Sequence, residues 1–196
     1  MTTLAVISAL AATLAASGCA AAWLLPEGPG RDTGVLALVV GTAALALVAV
    51  VPGPVADEGE ALRWVLPIVL APVGALGGGP VTALVLRLVD REGPRTNGAG
   101  EVEQAAQVLR GGAWIGVFER TGILAALLAG WPEGIAVVLG LKGLGRYSEL
   151  KTGDQSTETP RATGAGHGVA ERFIIGTFSS VLWAAGCAGA LIGLVP

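Results

Sequence analysis

FIIGTFSSVLWAAGCAGALIGLVP, residues 173–196, is a run of 24 residues without a single charge. A hydrocarbon core of ~30 Å is crossed by ~20 residues at 1.5 Å each, so this stretch alone reads as a membrane span. A second run, WVLPIVLAPVGALGGGPVTALVL at residues 64–86, holds 23 uncharged residues. Working outward from these two, the chain of 196 residues is 53% apolar and 14% charged, with a mean hydropathy of +0.69. A soluble domain carries about 25% charged residues. An ordinary water-soluble globule, a disordered chain and a nucleic-acid binder are excluded. The chain reads as an integral membrane protein with no room for a separate soluble domain.

Six apolar segments emerge, at residues 3–25, 35–51, 64–89, 111–130, 135–147 and 173–195. The fourth contains Glu119 and Arg120, and the fifth is short and contains Lys142. With six crossings, Arg31, Arg87, Arg91, Arg95, Arg110, Arg146, Lys151, Arg161 and Arg172 fall on one side and only Arg63 on the other. That asymmetry predicts both termini outside, with residues 90–110 and 148–172 as cytoplasmic loops. The expected fold is an all-α integral membrane bundle of about six transmembrane helices. Ten of the twelve basic residues are Arg, and Ala and Gly abound. This composition suits a bacterial gene rich in G+C, hence a bacterial cytoplasmic membrane.

The remaining punctuation is local. Ala16-Ser17-Gly18-Cys19 loosely resembles a lipoprotein cleavage site, but the first ten residues lack Lys and Arg and the apolar run continues to Leu25. A retained first helix is expected. Cys19 and Cys187 lie in apolar stretches and read as small hydrophobes. His167, the single histidine, sits in a Gly-rich segment, so no metal site and no cofactor are expected. Pro52-Gly53-Pro54 with Asp57, Glu58 and Glu60 reads as an outer loop, residues 101–110 as an amphipathic interfacial lead-in, and residues 153–168 as a mobile loop. Pro67, Pro72 and Pro80 should kink or break the third span. Gly74 and Gly78, Gly112 and Gly116, and Gly189 and Gly193 stand four apart, a spacing that favours close helix packing. Gly140, Gly143 and Gly145 lack phosphate-loop spacing and read as packing positions too.

Charges inside the last three segments carry the functional argument. Glu119 lies eight residues beyond Gly111, ~12 Å into the membrane. It shares a helical face with Gly112 and Gly116, so it should point at a neighbouring helix, while Arg120 faces elsewhere. Lys142, Arg146 and Glu149 repeat at i, i+4, i+7 and form one polar stripe. Glu171 and Arg172 open the sixth span, with Thr177, Ser179 and Ser180 deeper. The candidate cluster is therefore Glu119, Arg120, Lys142, Arg146, Glu149, Glu171, Arg172 and Ser180. An intramembrane charge costs about 2.5–3.5 kcal/mol on insertion scales, so such groups pair or face water. Two readings stay open. One is a cytoplasm-facing pocket for an anionic or phosphate-bearing ligand, or a proton-coupled path through Glu119. The other is a structural lock of Glu119 with Lys142 or Arg120.

Gly112-x-x-Ile115-Gly116-x-x-Glu119-Arg120, Lys142-x-x-x-Arg146-Tyr147 and Glu171-x-Phe173-x-Ile175-Gly176-Thr177-x-x-Ser180 together resemble a bacterial family of small integral membrane proteins. That family is a domain of unknown function, and the resemblance covers residues 111–180. It implies that the polar cluster matters and carries no activity with it. Three classes therefore stand. The first is binding or transport of a small anionic or proton-coupled solute. The second is a structural or accessory membrane subunit. The third is a membrane enzyme acting on a lipid or isoprenoid phosphate, which should show an acid-rich motif on the inner side. The expected partners are the lipid bilayer and a small anionic ligand or lipid, with a second copy or another membrane protein as alternatives.

Overall fold

The computed structural model describes residues 3–50, 60–92, 112–153 and 164–194. Within them the protein is an all-α integral membrane bundle of six helices: α1 (Thr3–Leu24), α2 (Pro29–Val50), α3 (Glu60–Glu92), α4 (Gly112–Leu128), α5 (Gly134–Gly153) and α6 (Gly164–Leu194). Four contain stretches long and apolar enough to cross a membrane, Val6–Leu24, Pro29–Val48, Leu66–Val89 and Glu171–Gly193. The helix of 17 residues, α4, and the shorter apolar stretch Gly134–Gly145 of α5 fall below that length. The acidic loop before Glu60 and the amphipathic stretch 101–110 lie outside the described residues.

The helices α1 and α2 form a hairpin at near-backbone contact. A Cβ added to Gly41 would stand 2.6 Å from the Ala15 nitrogen. Pro29 opens α2, where a missing N–H costs nothing, and Asp32 in the first turn suits the positive helix end. Arg87 Nη2 meets Asp32 Oδ1 at 3.2 Å, which sets the end of α3 beside the start of α2. The core runs through the middle of the bundle, with Leu38, Leu45, Leu66, Leu70, Ile123 and Cys187 essentially inaccessible. Cys19 and Cys187 are free and buried, as small hydrophobes would be.

The helix α3 does not break: it runs as one helix from Glu60 to Glu92 with all three prolines inside. Neighbouring side chains supply donors along it. Pro80 has no N–H for the Leu76 carbonyl four residues back, and the indole Nε1 of Trp23 donates to that oxygen at 3.1 Å. Trp183 Nε1 donates to Val73 O at 3.3 Å, and Arg120 Nε donates to Ala75 O at 2.6 Å. Three helices thus each put one donor on the same two turns of α3.

The α4–α5 connection is a tight turn. Gly130 has φ of 71°, a left-handed conformation that glycine adopts without strain. The Trp131 N–H donates to Ala126 O at 2.8 Å and the Gly130 N–H to Leu127 O at 3.0 Å. This pair of bonds closes a Schellman motif. Among the described residues the α5 backbone packs on α4 alone.

Several local expectations change. Residues 148–153 continue α5 and 164–172 begin α6, so His167 lies in a helix and not in a loop. Intrahelical hydrogen bonds need no lipid, and both helices outrun their apolar stretches. Of the glycine pairs, only Gly74 and Gly78 lie in a packed seam, against Leu124, Cys187, Arg120 and Trp183. Gly112 is exposed, Gly116 meets only Arg120 of its own helix, and Gly140, Gly143, Gly145 and Gly189 face open space. Spacing on one helix cannot say whether a second helix is there to use it.

Candidate functional site

The helices α4 and α6 both run inward from the end of the bundle that carries Arg31, Arg87 and Arg172. Between them and α3 lies a cavity of roughly 250 Å³, with Trp23 of α1 and Lys142 of α5 closing its sides. It reaches Arg120 and Ser180 at its inner end and Gly112 and Arg172 at its outer end.

Arg120 is the central group. It is 4% exposed, although α4 turns an otherwise apolar face inward around it. The guanidinium is held on two sides, by Nε to Ala75 O at 2.6 Å and by Nη1 to Ser180 Oγ at 3.1 Å. Its stem fills the space over Gly78, where an added Cβ would collide with Cδ and stand 2.9 Å from Nε. That glycine is therefore required by the close approach of the arginine. Both of Arg120's partners are neutral. Arg120 belongs to none of the ion pairs Arg31–Glu27, Arg87–Asp32 and Lys142–Glu119.

Glu119 and Lys142 form the second element. Lys142 Nζ stands 2.6 Å from Glu119 Oε2, with side-chain exposures of 24% and 15%. The ammonium also lies 5.7 Å from the centroid of the Phe173 ring, within cation–π reach. This pair is the internal lock between Glu119 and Lys142 that the sequence allowed, and it links α5 to both α4 and α6. Arg120 faces elsewhere than Glu119, as expected, but that direction is the deepest part of the bundle.

Two hydroxyls complete the lining. Thr13, Thr33, Thr42 and Thr121 each donate to the carbonyl four residues back at 2.8 Å. Thr82 and Thr177, which line the cavity, do not, and their buried Oγ1 atoms have no partner. A helical threonine normally has that carbonyl available. Two in one cavity that forgo it leave donors turned to whatever occupies the space.

Of the other residues in the sequence-derived cluster, Arg172 lines the cavity and Glu171 is exposed without lining it. The side chains of Arg146 and Glu149 lie outside the described residues. Sequence reasoning missed Trp23, Gly79, Thr82 and Phe173. The readable signals were an aromatic residue at the inner end of the first span and a hydroxyl two residues after a helix proline.

The cavity's formal charges are Arg120, Lys142 and Arg172 against Glu119. With the Glu119–Lys142 pair neutral as a unit, the buried Arg120 remains, hydrogen-bonded to neutral groups. Burying a charge without a counter-charge is expensive, and an anion in the cavity would relieve it. No family model matches this chain, and neither a curated protein nor a solved structure matches it.

Proposed function

We propose that this protein binds or transports a small anionic solute through the cavity around Arg120. The observation that carries this reading is a guanidinium 4% exposed, hydrogen-bonded to the neutral Ala75 carbonyl and Ser180 hydroxyl, lining a cavity with two unpartnered hydroxyls. The volume, roughly 250 Å³, is below the range of drug-sized sites and suits a small metabolite. In the orientation set by the positive-inside rule, the cavity opens to the cytoplasmic side of a bacterial plasma membrane, six helices cross it and both termini are outside.

A second reading, a structural or accessory subunit, draws on the Glu119–Lys142 pair, which explains two of the four charges without a ligand. Native mass spectrometry from mild detergent separates the two. A small bound anion lost in Arg120→Gln supports a binding protein. A clean apo mass in both, with Arg120→Gln merely less stable, makes the charges structural.

A further inference from the structure

Arg120 does not line the cavity alone. Glu119, its neighbour in sequence, lines the same space, and Lys142 holds that carboxylate from α5. A buried guanidinium and a carboxylate therefore face one cavity of roughly 250 Å³.

The two groups have opposite hydrogen-bonding characters. A guanidinium only donates, and Ala75 O and Ser180 Oγ take two of its five N–H donors. An ionised carboxylate only accepts, at about four lone-pair sites. Lys142 Nζ donates to Oε2, so the ion pair does not exhaust that capacity. An anion that presents bare oxygen to Glu119 meets a like charge in a low-dielectric space. One that presents an acidic O–H turns this repulsion into a charge-assisted hydrogen bond. Selectivity of this kind works through an unfavourable contact with the wrong ligand as much as a good contact with the right one.

We infer that Glu119 sets the specificity of the site, which takes a small oxyanion still carrying an acidic hydrogen, of the bicarbonate or dihydrogen phosphate kind. The anionic oxygens sit on Arg120 and the O–H donates to Glu119. Oxyanions of similar shape without that hydrogen, nitrate and sulfate, are turned away. This rests on the anion-binding reading above and adds the hydrogen that the ligand must bear.

The test is binding of two matched pairs of anions to the detergent-purified protein, read by titration calorimetry and thermal stabilisation. Bicarbonate is compared with nitrate, both planar monoanions, and phosphate with sulfate, both tetrahedral. In the parent the hydrogen-bearing member of each pair binds at least about tenfold tighter, as one hydrogen bond to a charged group predicts. Glu119→Gln replaces an acceptor-only carboxylate by an amide that also donates, and the preference falls to within about threefold. It falls because nitrate and sulfate gain affinity, a gain that mere destabilisation does not produce. Should Glu119→Gln fold poorly with Lys142 left unpaired, Glu119→Gln combined with Lys142→Met removes both charges and must show the same loss of preference. Arg120→Gln removes binding of every anion. Equal affinity within each pair in the parent, or a preference that persists without the Glu119 carboxylate, overturns the selectivity while binding itself still supports an anion site. Failure of every anion to bind the parent overturns both readings.

Discussion

The Trp23 indole donates to the one carbonyl in its reach that a proline has stripped of its helical donor, that of Leu76, at 3.1 Å. A tryptophan on α1 thereby repairs a defect on α3 that lies 53 residues away in sequence. Trp23→Phe should cost about 1–2 kcal/mol, the order expected for leaving a carbonyl without a donor in an apolar setting. Replacing Pro80 by Ala restores the native donor, so in that background the same change should cost measurably less. Unfolding in mixed detergent–SDS micelles measures the cycle, and equal costs in the two backgrounds would remove the indole's role as a substitute donor.

The Glu119–Lys142 contact at 2.6 Å predicts a different cycle. Either Glu119→Gln or Lys142→Met leaves a partly buried charge alone and should destabilise by about 1–3 kcal/mol, less than the 3–5 typical of a fully buried pair. The double variant should be more stable than the sum of the singles implies, by about 1 kcal/mol or more. Strict additivity in the same micelle assay would mean that the ion pair is not what holds α5.

Glycine substitutions sort by surroundings. Gly78→Ala places a methyl against the Arg120 stem and should cost about 1–3 kcal/mol of overpacking, displacing the guanidinium from Ala75 O. Gly140→Ala and Gly189→Ala meet open space and should be neutral or stabilise by up to about 1 kcal/mol through helix propensity. Ranking the three by thermal midpoint checks this, and a tolerated Gly78→Ala would contradict the described seat of Arg120.

Orientation has its own check. Glu133, in the α4–α5 turn, and Glu171, at the opposite end of the bundle, are both exposed. Glu133→Cys should react with an impermeant maleimide added to intact cells, and Glu171→Cys only after permeabilisation. The two native cysteines are buried and should stay silent. The reverse labelling pattern would invert the proposed topology.

The uncharged runs at residues 64–86 and 173–196 made the membrane bundle legible, because apolar length is a property of single segments. The Glu119–Lys142 pair was legible as one of two options, since both charges sit at similar depth in neighbouring helices. Arg120 was harder to read. Helical spacing gives the direction of its Cα–Cβ bond, but its burial depends on a gap at Gly78, on another helix, that its long stem can fill. The threonines were invisible for a related reason: whether Thr82 and Thr177 back-bond or turn to a cavity is decided by tertiary packing, not by neighbours in sequence. The extension of α6 to Gly164 was hidden because apolar patterning marks where lipid is, not where helical hydrogen bonding ends.

The tight α4–α5 turn has a consequence for how the chain enters the bilayer. Among the described residues neither helix carries a stretch that qualifies as a span by itself, and Glu119 of one pairs with Lys142 of the other. Passage of this region from the translocon into lipid is then a property of the hairpin: α4 must wait for Lys142 to emerge before its glutamate can leave water. A nascent chain halted at Gly134 is accordingly expected to leave α4 extractable by alkali, and one halted after Gly153 to hold it firmly. The weakest pair of helices would be the step that sets the timing of biogenesis.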